Sequence, residues 1–171
     1  VSAELLENAG VSDIQSLSRV APDFVTANDS ISTRVSLRGI STESNDEAAD
    51  QSLTISIDGE YINRPRVMNA AMFDIQRVEV LRGPQGTLYG RNATGGAVNI
   101  ITNKPEIGEF NGDFSADVGN YNSREFTGAL NVPLGDIAAI RIAGFSSQHD
   151  GFRSHEAAGL KSGDKDVQAG R

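Results

Sequence analysis

Apolar and polar residues alternate along several stretches in the first half of the chain. At the first of these, Val35 and Leu37 alternate with Ser36 and Arg38, and a period of two places successive side chains on opposite faces of a β-strand. The same alternation recurs at residues 53–58, 78–80 and 97–101. The pattern predicts half-buried strands at 35–38 and 53–58, and two further strands that bracket a glycine-rich segment.

The first 21 residues have a helical spacing instead. Their apolar side chains are Leu5, Leu6, Ala9, Ile14, Leu17 and Val20. Ser12 and Gln15 are spaced as a capping box, which predicts a break at Gly10 and a short amphipathic helix at about 13–20. The polar side of this helix has no basic cluster, so we expect it to pack on a small sheet and not on a membrane surface.

In the second half, the alternating runs are longer. They cover residues 110–118, 126–132 and 137–147, and turn-like segments follow the first two at 119–122 and 133–136. Runs of about ten residues with one apolar face are typical of transmembrane β-barrel strands. A soluble antiparallel sheet has the same alternation, so the pattern alone leaves both structures open. The polar tail from His149 to Arg171 predicts a long loop, with the start of a fourth strand at 167–171.

Composition excludes several classes of function. The 171 residues include 15 basic and 23 acidic side chains, for a net charge of −8, and nucleic-acid binding needs a basic surface that this chain lacks. The absence of cysteine excludes disulfides and thiolate metal sites. His149 and His155 lie in the polar tail without neighbouring ligands, so we expect no metal site.

Five glycines lie between Gly83 and Gly96, and such a segment is a candidate phosphate-binding loop. Neither a Gly-Lys-Ser/Thr motif nor a helix follows it; residues 96–102 form a strand pattern, which argues against a nucleotide site. Asp58 and Glu79 have no nucleophile or histidine beside them for acid and base catalysis. We therefore expect neither an enzyme nor a cofactor.

A family resemblance explains the glycine-rich segment. The run FDIQRVEVLRGPQGTLYGRNATGGAVNIITNKP at 73–105 resembles the plug signature of TonB-dependent outer-membrane receptors. It follows SLRG at 36–39 and LTISIDG at 53–59, which are similar to the arginine-glycine strand end and the aspartate-glycine turn of the family.

The resemblance extends towards both ends of the chain. LLENAGVSDIQSLSRVAPDF at 5–24 resembles the plug helix and the turn after it, and GDIAAIRIAGFSSQHDGF at 135–152 resembles the second and third barrel strands. The family usually has glycine where Asp23 stands, and we expect that departure to affect a local turn only.

The resemblance implies an α+β plug domain with a small mixed sheet at residues 1–108, followed at 109–171 by the first antiparallel strands of an incomplete transmembrane β-barrel. The plug of such a receptor lies inside a barrel of about 22 strands. The implied location is the outer membrane of a Gram-negative bacterium. The implied partners are TonB, a small-molecule ligand such as a metal chelate, and outer-membrane lipid.

The implied function is capture of a scarce ligand, such as a ferric siderophore, and its import into the periplasm while the plug gates the barrel. The alternative is a plug that senses or binds ligand in signalling, without transport. In either case we expect a fragment, because the sequence has no recognisable signal peptide, TonB box or first plug strand of the family. An open sheet of a few strands in lipid would leave main-chain groups unpaired at several kcal/mol apiece.

Chain direction, combined with the resemblance, predicts which loops face the ligand. Segments 27–32 and 60–69 fall on the outer side, and the acidic loop at 43–50 faces the periplasm. The predicted ligand-facing residues are Asn28, Ser30, Tyr61, Asn63, Arg64, Arg66 and Asn69. Their donors suit an anionic or oxygen-rich ligand, although two arginines in one loop could equally pair with acidic groups of the barrel.

The resemblance also assigns structural or gating roles to the plug signature. These residues are Arg38, Gly39, Asp58, Gly59, Glu79, Arg82, Gly83, Pro84, Gly86, Tyr89, Gly90, Gly95 and Gly96. The glycines allow close packing of the main chain. Arg82, and with it Arg38, is expected to join a charge cluster with acidic residues of the barrel wall.

Overall fold

A computed structural model describes residues 1–11, 13–28, 33–41, 52–62, 72–86, 93–151, 153–155 and 160–171. These residues divide into two compact units, Val1–Asn103 and Lys104–Arg171. The first unit combines short helical segments with two small sheets, and the second consists of strands.

The helical part of the first unit is shorter than the sequence predicts. Helix α1 covers Ala3–Asn8, and only a single 3₁₀ turn, Ser16–Arg19, forms where a helix at 13–20 was expected. Asp13 and Ser16 do form the reciprocal bonds of a capping box: Ser16 N donates to Asp13 Oδ1 at 2.7 Å and Asp13 N donates to Ser16 Oγ at 3.2 Å. The expected length was wrong because Pro22 follows closely, and proline and the residue before it disfavour continuation of a helix. The capping residue Ser12 lies outside the described residues.

Two sheets complete the first unit. The strands of the antiparallel sheet are β1 (Phe24–Asn28), β2 (Thr33–Leu37) and β3 (Ile40–Ser41). The strands of the mixed sheet are β4 (Leu53–Ile57), β5 (Glu60–Tyr61), β6 (Ile75–Arg82) and β7 (Gly96–Thr102). The order of the mixed sheet is β5-β4-β7-β6, with β4 parallel to β7 and the other pairs antiparallel. The small mixed sheet of the predicted α+β fold is confirmed.

Strand β4 is buried on both faces, so the predicted half-burial was wrong. Leu53, Thr54, Ile55 and Ser56 are each at most 3% exposed. Leu53 and Ile55 join the hydrophobic core of the unit. Thr54 and Ser56 are small enough to be buried on the opposite face, where the polarity of their hydroxyls had suggested contact with solvent.

The second unit contains a four-stranded antiparallel sheet in the order β8-β9-β10-β13. Its strands are β8 (Asn111–Gly119), β9 (Ser123–Pro133), β10 (Ala139–His149) and β13 (Lys165–Gly170). Each of the three predicted runs is a strand. A tight turn joins β8 to β9, with Tyr121 and Asn122 both at positive φ and Ser123 N donating to Asn120 O at 3.2 Å.

The polar tail is not the single long loop that its composition suggests. Strands β11 (Arg153–His155) and β12 (Leu160–Ser162) pair with each other. Strand β13 then pairs with β10 from Gly144↔Gly170 to His149↔Lys165. The strand expected to start at 167 is therefore confirmed as β13. Strands β11 and β12 were missed because short polar strands whose main-chain groups bond a neighbouring strand need no apolar periodicity.

Two buried threonines of the mixed sheet provide a matched test of polar burial. Thr102, 2% exposed, donates its hydroxyl to Asp58 Oδ2 at 2.6 Å. Thr54, 3% exposed, has a buried Oγ1 for which the described part of the chain provides no hydrogen-bond partner. An unsatisfied buried hydroxyl costs free energy, and a satisfied one is costly to remove.

We expect Thr54→Val to leave the free energy of unfolding unchanged or to raise it by up to about 1 kcal/mol, because it removes only an unsatisfied hydroxyl. Thr102→Val should lower the free energy of unfolding by about 1–3 kcal/mol, since the Asp58 carboxylate loses a donor. Urea titration followed by circular dichroism measures both variants. Equal destabilisation by the two substitutions would contradict the assignment of different hydroxyl environments.

Candidate functional site

Two tight turns occupy the positions of the predicted arginine-glycine and aspartate-glycine motifs. Arg38 and Gly39 have φ of 54° and 80°, and Asp58 and Gly59 have φ of 50° and 90°. Positive φ at both central residues is the geometry of the two-residue turns that suit the twist of a β-hairpin. The first turn joins β2 to β3 and the second joins β4 to β5.

The Asp58 turn is fixed to the end of strand β7. Its carboxylate accepts hydrogen bonds from Thr102 N at 3.1 Å and from Thr102 Oγ1 at 2.6 Å, and Asp58 N donates to Ile100 O at 2.9 Å. These bonds connect the turn after β4 to the strand that runs parallel to β4. Asp58 therefore fixes the turn to the end of β7.

Glu79 belongs to a row of polar side chains across the mixed sheet. Ser56, Asn99 and Glu79 lie opposite one another on β4, β7 and β6. Ser56 Oγ donates to Asn99 Oδ1 at 3.0 Å, and Asn99 Nδ2 donates to Glu79 Oε2 at 3.5 Å. Arg77 Nε donates to Glu79 Oε1 at 2.9 Å, and this bond is the main reason why the pKa of Glu79 lies below its ordinary value of 4.5.

Arg82 pairs with Asp23 inside the first unit. Arg82 Nε lies 3.1 Å from Asp23 Oδ2, and both side chains are about half exposed. Arg38 N also donates to Asp23 O at 3.0 Å. The expectation that Asp23 affects only a local turn was therefore wrong, because its carboxylate contacts a signature arginine that is distant in sequence. The cluster proposed between Arg82, Arg38 and acidic residues of a barrel wall stays a prediction.

The glycines of the signature fall into two groups. Gly95 and Gly96 lie where the two sheets approach: a Cβ on Gly95 would be 2.8 Å from Ile40 Cγ2, and a Cβ on Gly96 would be 2.6 Å from Leu37 Cδ2. The Cβ on Gly96 would also be 2.4 Å from Leu81 O of the neighbouring strand β6. Gly83 has a φ of 81° but open space around it, and Gly86 has neither a close neighbour nor a positive φ. Close packing thus accounts for Gly95 and Gly96, and turn geometry for Gly83. Pro84 is exposed.

Most of the predicted ligand-facing residues lie outside the described part of the chain. These are Ser30, Asn63, Arg64, Arg66 and Asn69, and the signature residues Tyr89 and Gly90 lie outside it too. The main chain of Asn28 ends β1. Tyr61 lies in β5 and is 43% exposed. The ligand-facing assignment therefore stays a prediction.

One face of the four-stranded sheet is apolar and exposed. Leu130 lies opposite both Gly112 and Ile142, and Phe126 lies opposite Ala116, so these residues share a face. The exposed large side chains on that face are Phe114, Val118, Phe126, Leu130, Ile140 and Ile142. A continuous exposed apolar face marks an interaction surface, and alternation of this kind suits contact with membrane hydrocarbon.

The family model for the TonB-dependent receptor plug domain matches residues 1–97, which include both tight turns and the two close-packed glycines. The chain belongs to the TonB-dependent receptor family. TonB-dependent receptors are outer-membrane proteins of Gram-negative bacteria, and the apolar face of the four-stranded sheet is consistent with that location.

Comparisons with individual TonB-dependent receptors agree with this assignment. The chain is 40% identical over 108 residues to the pesticin receptor of Yersinia pestis, covering 62% of this chain and 16% of that protein. It is 37% identical over 94 residues to the catecholate siderophore receptor Fiu of Escherichia coli K12, covering 55% of this chain and 12% of that protein. The chain therefore spans less than a fifth of the length of these relatives.

A solved structure matches almost the whole chain. The ferric yersiniabactin uptake receptor FyuA of Yersinia pestis is 30% identical, with a TM-score of 0.78 over 99% of this chain and 27% of that receptor. The match includes strands of the second unit as well as the plug, so the predicted fold of a plug followed by antiparallel strands is confirmed; the barrel is not closed by these residues.

The described residues contain neither a membrane-spanning helix nor a cluster of metal ligands. No helix among them is long and apolar enough to cross a membrane. Within the same residues, no group of histidine, cysteine and carboxylate side chains is arranged to hold a metal ion.

Gly96 and Gly83 give a matched pair for testing the close approach of the main chain. Both have positive φ, but only Gly96 has a backbone oxygen within contact of an added Cβ. Gly83→Ala should lower the free energy of unfolding by about 1 kcal/mol from conformational strain. Gly96→Ala should lower it by about 3 kcal/mol or more, since Leu81 O cannot move without disturbing the pairing of β6 with β7.

Urea titration of the two glycine variants measures the difference. If Gly96→Ala were as mild as Gly83→Ala, the close approach of Leu81 would not explain why glycine occupies position 96.

The lowered pKa of Glu79 predicts a small dependence of stability on pH. A depressed carboxyl pKa stabilises the fold above the unfolded value of 4.5, and this contribution is lost as the pH falls through the lowered pKa. Glu79→Gln should therefore lower the free energy of unfolding at neutral pH, by no more than about 0.5 kcal/mol because the Arg77 pair is more than a third exposed. The difference in the free energy of unfolding between Glu79→Gln and the wild type should disappear in acid.

An Arg77→Ala background is the control for the Glu79 experiment. If Glu79→Gln had the same effect with Arg77 absent, the hydrogen bond between the two side chains would not be the source of the shift.

Proposed function

We propose that this chain forms the plug and the first wall strands of a receptor that binds a ferric siderophore outside the cell and imports it into the periplasm. TonB supplies the energy, through a box that we expect in the complete receptor, and the plug gates the barrel. The remaining wall strands are contributed by polypeptide beyond the 171 residues. The proposed role is transport, with no catalysed reaction and no resident cofactor.

The likeness to the ferric yersiniabactin uptake receptor carries this proposal. It extends over 99% of the chain at 30% identity, so it includes the strands after the plug as well as the plug itself. The name of the Fiu relative supports the same class of ligand, a metal chelate of a siderophore. Oxygen-rich, anionic chelates also suit the donors that the sequence places at Tyr61, Asn63, Arg64 and Arg66.

The experiment expresses the complete receptor in Gram-negative cells that lack their own receptor for the probe. The two probes are ferric yersiniabactin and a ferric catecholate, each loaded with radioactive iron, and cell-associated iron is followed over time. We expect one probe to accumulate in cells with TonB and to stay at the level of surface binding in otherwise identical cells without TonB. The vector without the receptor is the background control.

The same assay distinguishes transport from ligand sensing. A receptor that only binds or signals would give equal amounts of cell-associated iron with and without TonB, at a level set by the number of receptors. That result, for a probe that binds, would replace import by the binding function that we keep as the alternative.

A further inference from the structure

Segment 104–110 joins β7 to β8, and the side chain of Asn131 on β9 hydrogen-bonds its main chain. Asn131 is 0% exposed. Its Oδ1 accepts a hydrogen bond from Glu106 N at 3.0 Å, and its Nδ2 donates to Glu106 O at 2.9 Å and to Glu109 O at 2.6 Å. Both amide hydrogens and the amide oxygen of Asn131 are therefore used.

The three hydrogen bonds of Asn131 all go to main-chain groups of this segment. Its carboxamide pairs with the N–H and C=O of Glu106 in the way that one strand pairs with the next, so the contact does not depend on the side chain at 106. Aspartate has no donors for the two carbonyl oxygens, and alanine has no polar group. Among the common side chains of this length, only asparagine can make all three bonds.

Neighbouring side chains extend this contact into a row across the sheet. Asn111, Asn131 and Arg141 lie directly opposite one another on β8, β9 and β10. Asn111 Nδ2 donates to Glu106 Oε2 at 3.0 Å, and Arg141 Nη1 donates to Asn111 Oδ1 at 3.4 Å. Asn131 therefore lies between two polar side chains, which favours the side-chain orientation that bonds the main chain of segment 104–110.

We propose that Asn131 is a positioning residue that pins the main chain at 106–109 to strand β9 throughout the transport cycle. The effect of this contact on transport rests on the proposed function. A plug that gates a barrel has to rearrange when ligand passes. The hydrogen bonds of Asn131 determine where along the chain that rearrangement ends. A rearrangement of the plug then ends before Glu106, and 106–109 stay on the sheet.

The test measures hydrogen exchange at the Glu106 amide in the complete receptor, reconstituted in outer-membrane vesicles. In the wild type this amide should exchange slowly, because Asn131 Oδ1 accepts its hydrogen. Asn131→Ala should speed its exchange by about tenfold to a hundredfold, as expected for the loss of one or more buried hydrogen bonds. Asn131→Asp, which keeps the shape of the side chain without its donors, should also speed exchange, because a buried carboxylate would face the carbonyl oxygens of Glu106 and Glu109.

Glu106→Ala is the matched control, because it removes the carboxylate bonded by Asn111 and leaves every group bonded by Asn131. Exchange at position 106 should match the wild type in this variant. A protease that cleaves after glutamate provides a second measurement: it should cut after Glu106 and Glu109 in Asn131→Ala, and neither site should be cut in the wild type.

The functional measurement separates positioning from a general loss of folded receptor. With ferric yersiniabactin as the probe, or the ferric catecholate if that is the one imported, Asn131→Ala should lower the maximal uptake rate per binding-competent receptor several-fold. The dissociation constant of the probe should be unchanged. A merely structural role would reduce the number of binding-competent receptors without changing the rate of each one.

Two results would overturn the inference: unchanged exchange at Glu106 in Asn131→Ala, or fast exchange at Glu106 in the wild type once probe and TonB are engaged. The second result would mean that the segment is released in the cycle. A third result would separate the two proposals. If the Glu106 amide exchanges slowly in the wild type and fast in Asn131→Ala, the positioning role of Asn131 is supported. If the same wild type imports neither probe, the proposed import of these chelates is contradicted.

Discussion

Both units of the chain depend on the pairing of main-chain N–H and C=O groups between neighbouring strands, because a buried peptide group without a partner costs more than most side-chain contacts return. In the first unit, β7 meets this requirement by pairing in parallel with β4 and antiparallel with β6. Its position between two strands is what brings Leu81 O so close to Gly96. In the second unit, β9 and β10 each pair on both sides, which fixes the alternation of an apolar and a polar face.

Periodicity in the sequence was sufficient to predict β6, β7 and the three longer strands of the second unit, because each keeps one face different from the other over many residues. The prediction from periodicity failed where polar side chains are buried. Thr54 and Ser56 are polar but buried, so an alternating pattern concealed a strand that is covered on both faces. The polar strands β11 and β12 have no apolar signal and are defined by pairing, whereas the sequence did indicate β13 from residue 167 onward.

The contacts that position the candidate site were harder to predict, since they join residues far apart in the sequence. The pair between Asp23 and Arg82 required knowledge that the turn after the 3₁₀ segment lies beside the end of β6. The family resemblance identified the signature arginine but treated Asp23 as local. The bonds of Asn131 had no signal at all in the sequence, because their partners are main-chain groups, which are the same at every residue.

The use of main-chain groups by Asn131 has an evolutionary consequence. The side chains at 106, 107 and 109 can be exchanged without loss of its three hydrogen bonds, so mutations that alter their chemistry face little selection at this contact. Gly108 is the exception, because its φ of 81° favours glycine. The spacing is different: deleting or inserting one residue between Glu106 and Glu109 would move one carbonyl oxygen out of reach while the other stayed. Apart from Gly108, substitution is tolerated at this contact and a change of length is not, so the segment can vary in composition but not in length.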